Sequence, residues 1–529
     1  MFTRLPCSLS VLIAAILLGC GELIAATPDG GESTPTSAAD STFGSGSSLS
    51  SADASSRGPD AGDATSAFTT TTTASATTDT STASASDTTD AGPATDATAT
   101  TVVSTSTGST GTTSGTTGGP PPDPVCGNLW LEDGEDCDDG NADEYDGCTS
   151  SCTLSLRSLS LGIDYTCSTN AGALRCWGAN SAFQLGLGLS DPIGDDELPS
   201  DVPELDVGGT VAQIETGTLM ACALLVGGDV RCWGDAVSIV LGGDGTATAA
   251  ESAVLDLGGR AVQIAVGQWH GCALLEGGAV RCFGSNGVGQ LGYPGVFDVG
   301  NVDAAGAGGD VSLGGLARRL DLGSDGSAVV LDDGTVRVWG HDDGAALGDD
   351  ETPDALPAID AGGTAIEVRT WPNNGCVVLD DGGAKCWGDA YRSGLAVAVA
   401  RATLGAQPSI EVGVAVTGIG VGDWSNCALR QDGGVVCWGR AENLDQAPLG
   451  YGIGDVTLES PPMAGDLGVV PLGGDAVSLR VGPSHTCVIL DSLAIRCWGL
   501  GGDGRLGYGN TDDVGRDDTP ADVGDVSVW

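Results

Sequence analysis

The chain has 529 residues, 71 of them acidic against 20 basic, for a formal net charge of −51. An acidic excess of that size argues against nucleic acid and against an anionic membrane surface as partners, because both are held by basic patches. Glycine supplies 87 residues and aromatics only 4%, and 18 cysteines are too many for an ordinary cytosolic protein and favour an oxidising compartment.

Residues 1–20 read as an address. Arg4 precedes an apolar run from Val11 to Leu18, too short for a bilayer span of about 20 residues. The stretch Leu17-Leu18-Gly19-Cys20 resembles a bacterial lipoprotein lipobox. The resemblance implies cleavage before Cys20 and lipid on its sulfur. The expected product is exported and lipid-anchored to a bacterial envelope, at the outer membrane or cell surface, with no other membrane contact. Residues 21–124 come next, as a disordered linker. Between 27 and 124 there are eleven acidic residues, one basic residue (Arg57), and only Phe43 and Phe68 as aromatics. Such a segment buries too little apolar surface to offset its ordering entropy. As a flexible coil it spans roughly 50–60 Å, a tether for the rest of the chain.

Residues 125–153 form a cysteine-rich module. Cys126, Cys137, Cys148 and Cys152 have the spacing C-x10-C-x10-C-x3-C. Gly134-Glu135-Asp136-Cys137-Asp138-Asp139-Gly140-Asn141 and Asp146-Gly147-Cys148 resemble the myxobacterial cysteine-rich repeat, an extracellular module present here once. So small a segment needs staples, so two disulfides are expected. Four cysteines allow three pairings, and the sequence does not choose among them. Asp139, Asn141 and Asp143 occupy positions one, three and five of a calcium-loop pattern, but Glu144 stands where the loop requires Gly, and Ser150 where it requires Glu. They are a weak calcium candidate beside the simpler reading of a solvated acidic surface. No other metal site and no cofactor is expected.

Residues 154–529 carry a pattern repeated seven times. Its aromatic marker before Gly falls at Trp177, Trp233, Phe283, Trp339, Trp387, Trp438 and Trp498. Short apolar or alternating runs are separated by Gly-Gly and Asp-Gly turns, with no sustained helical period. Units of four short strands at this spacing predict an all-β fold, a seven-bladed β-propeller. Each repeat from the second onward opens with a run such as Leu205-Asp206-Val207-Gly208-Gly209. The first lacks one, and residues 521–528 supply it, so a C-terminal strand is expected to complete the first blade and close the ring.

Paired cysteines fit the same hairpins. The expected disulfides join Cys167 to Cys176, Cys222 to Cys232, Cys272 to Cys282, Cys376 to Cys386, Cys427 to Cys437 and Cys487 to Cys497. With the turn centred near Gly227, positions 222 and 232 face each other within disulfide reach. The fourth repeat has Ala328 and Val338 in these places. Loss of both cysteines together is what a bridge predicts.

The string A-L-x-x-G-G-x-V-x-x-W-G…Q-L-G is similar to the regulator of chromosome condensation repeat. The resemblance implies seven-bladed propellers and leaves function open, since the fold hosts unrelated binders. The founding member is a guanine-nucleotide exchange factor, and a secreted bacterial relative inhibits β-lactamase. An exported chain would not meet a nuclear GTPase. No Ser-His-Asp arrangement appears, so no catalytic residue and no enzyme activity are expected. The loops before the middle strands should share one face of the propeller. They carry Tyr165, Trp269, Trp371, Trp424 and His485, a candidate face for an extracellular protein or glycan, beside the alternative of packing around the channel. The remaining readings are an envelope spacer, an inhibitor-like role against an extracellular enzyme and, by family analogy alone, guanine-nucleotide exchange. A monomer is expected.

Overall fold

The computed structural model describes residues 125–529, apart from 133, 142, 243, 301–303, 343–344, 348–350, 440–448 and 455–462. The lipobox with Cys20 and the linker 21–124 lie outside the described residues.

Each repeat folds locally into a meander, because tight glycine turns return one short β-branched run onto the next. The first blade is Arg157–Leu161, Tyr165–Asn170 and Ala173–Gly178, paired antiparallel in that order. The inner strands of the other six are Val211–Thr216, Ala261–Val266, Ala317–Leu322, Ala365–Trp371, Val416–Val421 and Ala476–Val481. Seven sheets result. Neighbouring inner strands touch all the way round, the seventh against the first, so the ring is closed.

Among the described residues five sheets have three strands, and the third and fourth have a fourth. In every blade the outer run contributes a backbone hydrogen bond instead, such as Leu205 N to Leu174 O at 2.8 Å and Val470 N to Val435 O at 2.8 Å. These segments are rich in Gly and Pro, which cannot sustain a ladder. The same bonds revise the expected closure. Each run pairs with the blade before it, not the one after. The C-terminal run obeys the rule: Val526 N donates to Ile495 O of the seventh blade at 2.8 Å. It closes the ring by reaching across to the first blade, where Arg175 Nη1 donates to Val528 O at 2.7 Å and Ser200 N to Ser527 O at 3.0 Å. The Arg175 guanidinium also lies 5.0 Å from the Trp529 ring.

The marker aromatics are the blade joints. Trp177, Trp233, Trp339, Trp387, Trp438, Trp498 and Phe283 are all buried. Trp233 Nε1 donates to Gln184 O at 3.0 Å and Trp339 Nε1 to Gln290 O at 2.9 Å, each across a joint into the preceding blade. Gly186 sits under Trp233 with φ +74°, and a Cβ there would lie 2.7 Å from the indole nitrogen. Gly507 does the same for Trp177, at 2.7 Å, joining blade seven to blade one. A side chain at either position would push the blades apart.

Six hairpin disulfides form as the spacing predicts. Cys167 is bonded to Cys176, Cys222 to Cys232 and Cys272 to Cys282 in the first three blades. Cys376 is bonded to Cys386, Cys427 to Cys437 and Cys487 to Cys497 in the last three. Their Cα separations are all 4.0–4.1 Å, because each pair stands directly opposite in the ladder. Ala328 pairs with Val338 at the equivalent register of the fourth blade. The module chooses one of its three possible pairings, joining Cys126 to Cys152 and Cys137 to Cys148. Among the described residues no helix is long and apolar enough to cross a membrane.

Candidate functional site

The inner strands run in the same sense, so their first residues ring one mouth of the channel and their last residues the other. The module packs on the first mouth. Leu129 joins the core cluster containing Val262 and Leu320, and Cys137 and Cys148 join the one containing Ala212 and Leu224. Gly277 N donates to Leu129 O at 3.1 Å. Arg319 Nη1 contacts Asp146 Oδ2 at 3.0 Å, both side chains largely buried. Asp138 holds the module's own turn, accepting N–H bonds from Gly127, Asn128, Leu129 and Gly140 at 3.0–3.3 Å.

The calcium candidates each use one side-chain oxygen to close a local turn. Asp139 Oδ1 accepts from Asn141 N at 3.3 Å, Asn141 Oδ1 from Asp143 N at 2.7 Å, and Asp143 Oδ1 from Tyr145 N at 3.0 Å. Each side chain thus closes a turn two residues on. Their oxygens are not among the described groups that converge as metal ligands. Burial, and then the Asp146 charge, raise the Asp139 carboxyl well above its ordinary range.

At the second mouth the loops after the inner strands converge around a pocket of about 100 Å³. Below it lies a charge network that the sequence reading missed. Arg369 contacts Asp321 Oδ1 and Glu367 Oε1, each at 3.0 Å, and Thr370 N donates to Asp321 Oδ2 at 2.7 Å. Gln213 Nε2 donates to Glu215 Oε1 at 3.0 Å. Burial pushes the Glu215 carboxyl up to about 6, against the opposing pull of Arg480 and Arg369. Carboxylates and guanidiniums contributed by different blades thus offset one another along the channel wall.

The five aromatic-face candidates separate into two groups. Trp269, Trp371 and Trp424 are half-buried at this second mouth, Trp269 and Trp424 on its loops and Trp371 at the end of an inner strand, where it lines the pocket. Tyr165 and His485 are not on a face. Tyr165 is fully buried and donates from its hydroxyl to Met220 O of the next blade at 2.7 Å. His485 is 3% exposed, and its Nε2 lies 2.7 Å from Thr166 Oγ1, which itself donates to Arg505 O. His270 repeats this arrangement at another joint: Nε2 is 3.0 Å from Ser327 Oγ, which donates to Gln290 O. Both hydroxyls give their protons away, so both imidazoles donate from Nε2. Burial holds His270 down at about 3, and burial with the Arg505 charge does the same for His485. The column is a set of inter-blade pins.

A second column also escaped the sequence reading. Arg175, Arg231, Arg281, Arg337, Lys385 and Arg496 precede the second cysteine or its equivalent. Each donates to carbonyls of the outer segments, as in Arg281 Nη1 to Leu257 O at 2.7 Å and Lys385 Nζ to Gly405 O at 3.0 Å. Recurrence of a cation at one repeat position was its signal.

Residues 261–290 match the model of the regulator of chromosome condensation (RCC1) repeat. The repeat is of the RCC1 type. Among solved structures, human WBSCR16 is 19% identical, aligned over 63% of this chain and 86% of its own, with a TM-score of 0.50. The structure of Kap60 bound to yeast RCC1 (Prp20) contains a chain 16% identical over 68% of this one and 74% of its own, with a TM-score of 0.38. The ectodomain of the Arabidopsis thaliana receptor kinase ACR4 is 16% identical over 65% and 95%, with a TM-score of 0.40. At 19% identity the likeness to WBSCR16 is one of fold. No curated protein sequence matches the chain. The propeller thus carries one stretch that matches the RCC1 repeat, together with hairpin bridges and a docked module.

Proposed function

We propose that this RCC1-type propeller is an exported, lipid-anchored, non-catalytic recognition protein that binds an extracellular protein at the channel mouth opposite the module. One observation carries the reading: the module packs on part of the first mouth, so among the described residues the mouth with nothing docked on it is the one that bears Trp269, Trp371 and Trp424. Half-buried tryptophans with one face packed and one open are the usual anchors of interfaces. Eight disulfides suit an oxidising, extracellular setting. The lipobox before Cys20 supports the anchor, and the linker supports display away from the surface.

The test is surface plasmon resonance with the oxidised chain immobilised and purified envelope and secreted proteins as analytes. A saturable partner at micromolar affinity or better is expected. Trp269→Ala with Trp424→Ala is expected to abolish that binding with the melting temperature unchanged. Loss of stability without a lost partner would assign the tryptophans to packing. Absence of any partner for well-folded material would leave an envelope spacer.

A further inference from the structure

The loops joining inner to middle strands set the charge of the second mouth. They carry Asp164, Asp325 and Asp423 and no Lys, Arg or His. Two guanidiniums reach them from the outer loops, and each is shared. Arg505 contacts Asp164 Oδ1 at 2.7 Å and Asp503 Oδ2 at 3.6 Å. Arg392 contacts Asp423 Oδ1 at 3.3 Å and Asp389 Oδ2 at 3.4 Å. Among the described residues Asp325 has no cation within salt-bridge distance; its Oδ2 accepts from the Ser324 hydroxyl at 3.2 Å. His341 meets this loop through its backbone, N donating to Asp325 O at 2.9 Å. Five carboxylates thus face two guanidiniums at the rim. The pocket floor is balanced, with Glu215 and Asp321 against Arg369 and Arg480, so the rim sets the sign.

Contacts between neighbours stitch the loops of blades three to six into one arc. Gln268 N donates to Ser324 O at 2.9 Å and Ser324 Oγ to Gln268 Oε1 at 2.6 Å. A Cβ on Gly323 would lie 3.0 Å from Trp371 Cα, and Asn374 Nδ2 donates to Gly422 O at 3.3 Å. Trp269, Asp325, Trp371, Asp423 and Trp424 therefore follow one another, aromatic and acidic groups in alternation. Phe297, 77% exposed, stands outside Trp269. Its carbonyl accepts from Asn286 N at 2.8 Å, one residue beyond Ser285, whose N–H donates to Trp269 O at 2.9 Å.

Resting on the reading of this mouth as the binding face, we propose that the arc takes a cationic polypeptide segment. Its Lys or Arg side chains lie on the carboxylates and across the indole faces, with an apolar neighbour on Phe297. A carboxylate pairs with an ammonium or guanidinium, and an indole attracts the same group electrostatically, so one cation satisfies both kinds of residue in the arc. An anionic segment would meet Asp325 uncompensated, which excludes it. A neutral sugar would use the indoles and leave the excess charge without a role. The loops are tied blade to blade, so they are ordered before the partner arrives. The net charge of −51 draws a cation in from beyond contact range, which makes association depend on salt.

The test exposes the full oxidised chain to an array of random decapeptides and, separately, to an array of neutral oligosaccharides. Expected are peptides enriched in Lys or Arg beside Leu, Phe or Tyr. The affinity of the best of them should fall about tenfold or more on Asp325→Asn and on Trp269→Ala, and weaken with added salt. It should hold on Asp229→Asn, which removes the same charge from an exposed turn at the first mouth. Asp325→Lys should reverse the preference, towards the same peptide with one Lys exchanged for Glu. Asp325 is half-buried and outside any ion pair, so unchanged melting temperatures are expected in its variants. Three results would overturn the cationic partner and leave the binding mouth standing: enriched peptides without cations, affinity indifferent to Asp325→Asn, or neutral oligosaccharides bound through Trp269 with no peptide. No ligand of any kind on folded material, with no partner in the surface plasmon resonance test, would remove both.

Discussion

Deletion of Val526–Trp529 will open the ring at the joint between the seventh and first blades. Val526 and Val528 are 5% and 1% exposed, and burying each stabilises by about 2 kcal/mol. The Arg175–Val528 bond is charge-assisted, about 1.5 kcal/mol, and the Val526–Ile495 and Ser200–Ser527 backbone bonds add about 1 kcal/mol each. With the cation–π contact of Arg175 on Trp529, about 0.5–1 kcal/mol, the loss is on the order of 8 kcal/mol. That compares with a whole-domain stability of about 5–15 kcal/mol. Urea denaturation of the full chain, monitored by tryptophan fluorescence, reads the loss. Native-state hydrogen exchange locates it. Amides of Arg157–Leu161 and Ile495–Gly499 should exchange much faster, with the fourth blade least affected. Stability within about 1 kcal/mol of the parent chain would refute the reasoning. So would faster exchange confined to blade seven, because the segment would then serve that blade alone.

Three further outcomes rest on the same geometry. Ala328→Cys with Val338→Cys will oxidise spontaneously into a seventh hairpin bridge, stabilising by up to about 2.8 kcal/mol; mass after alkylation, with and without reductant, checks it. His270 and His485 have folded pKa values near 3, below the unfolded 6.5, so the unfolded chain takes up their protons first. Stability is therefore full above pH 6.5 and falls below it, by up to about 1.4 kcal/mol per pH unit for each imidazole. Glu215, raised to about 6, works oppositely between 6 and 4.5, where the folded state binds the proton first, and the raised Asp139 and Asp146 act in the same sense, so the carboxylates offset part of the histidine slope there. His270→Gln should flatten the urea midpoint against pH between 6.5 and 5, and an unaltered profile would remove the assignment. Asp146→Ala leaves Arg319 buried without its partner, at about 3 kcal/mol. Limited proteolysis should then cut within 125–153 while the blades stay intact; uncut material would mean that apolar packing alone seats the module.

Features made within one hairpin were legible in the sequence. Cys222 and Cys232, or Ala328 and Val338, stand opposite because ten residues with a glycine turn place them so. Trp177 and its counterparts announced the blades because one aromatic fills one joint. Contacts with partners far along the chain were not legible. Leu205-Asp206-Val207 looks like the start of the second repeat, and a backbone bond to Leu174 assigns it to the first blade. Tyr165 and His485 carry surface-type chemistry, but glycine-rich neighbours let the next blade approach and enclose them. The bulges in the inner strands of blades two to seven, at Ala212, Val262, Arg318, Ile366, Thr417 and Val477, share no single residue type, so no sequence pattern marks them. Docking of the module on the first mouth has no local signature either.

The closing contact between Arg175 and Val528 joins residues 353 apart. A chain that emerges from its amino end at about 5–20 residues per second leaves the first blade waiting some 20–70 s for its last partner. Through that interval the edge between blades one and seven is unpaired and open to capture by another chain. The hairpin bridges span only 9 or 10 residues, so each can form as soon as its own blade is out. Their service is then as much temporal as energetic: they preserve finished blades until the ring can shut. The fourth blade, the one without a bridge, is the place where a slow or reducing passage would first lose register.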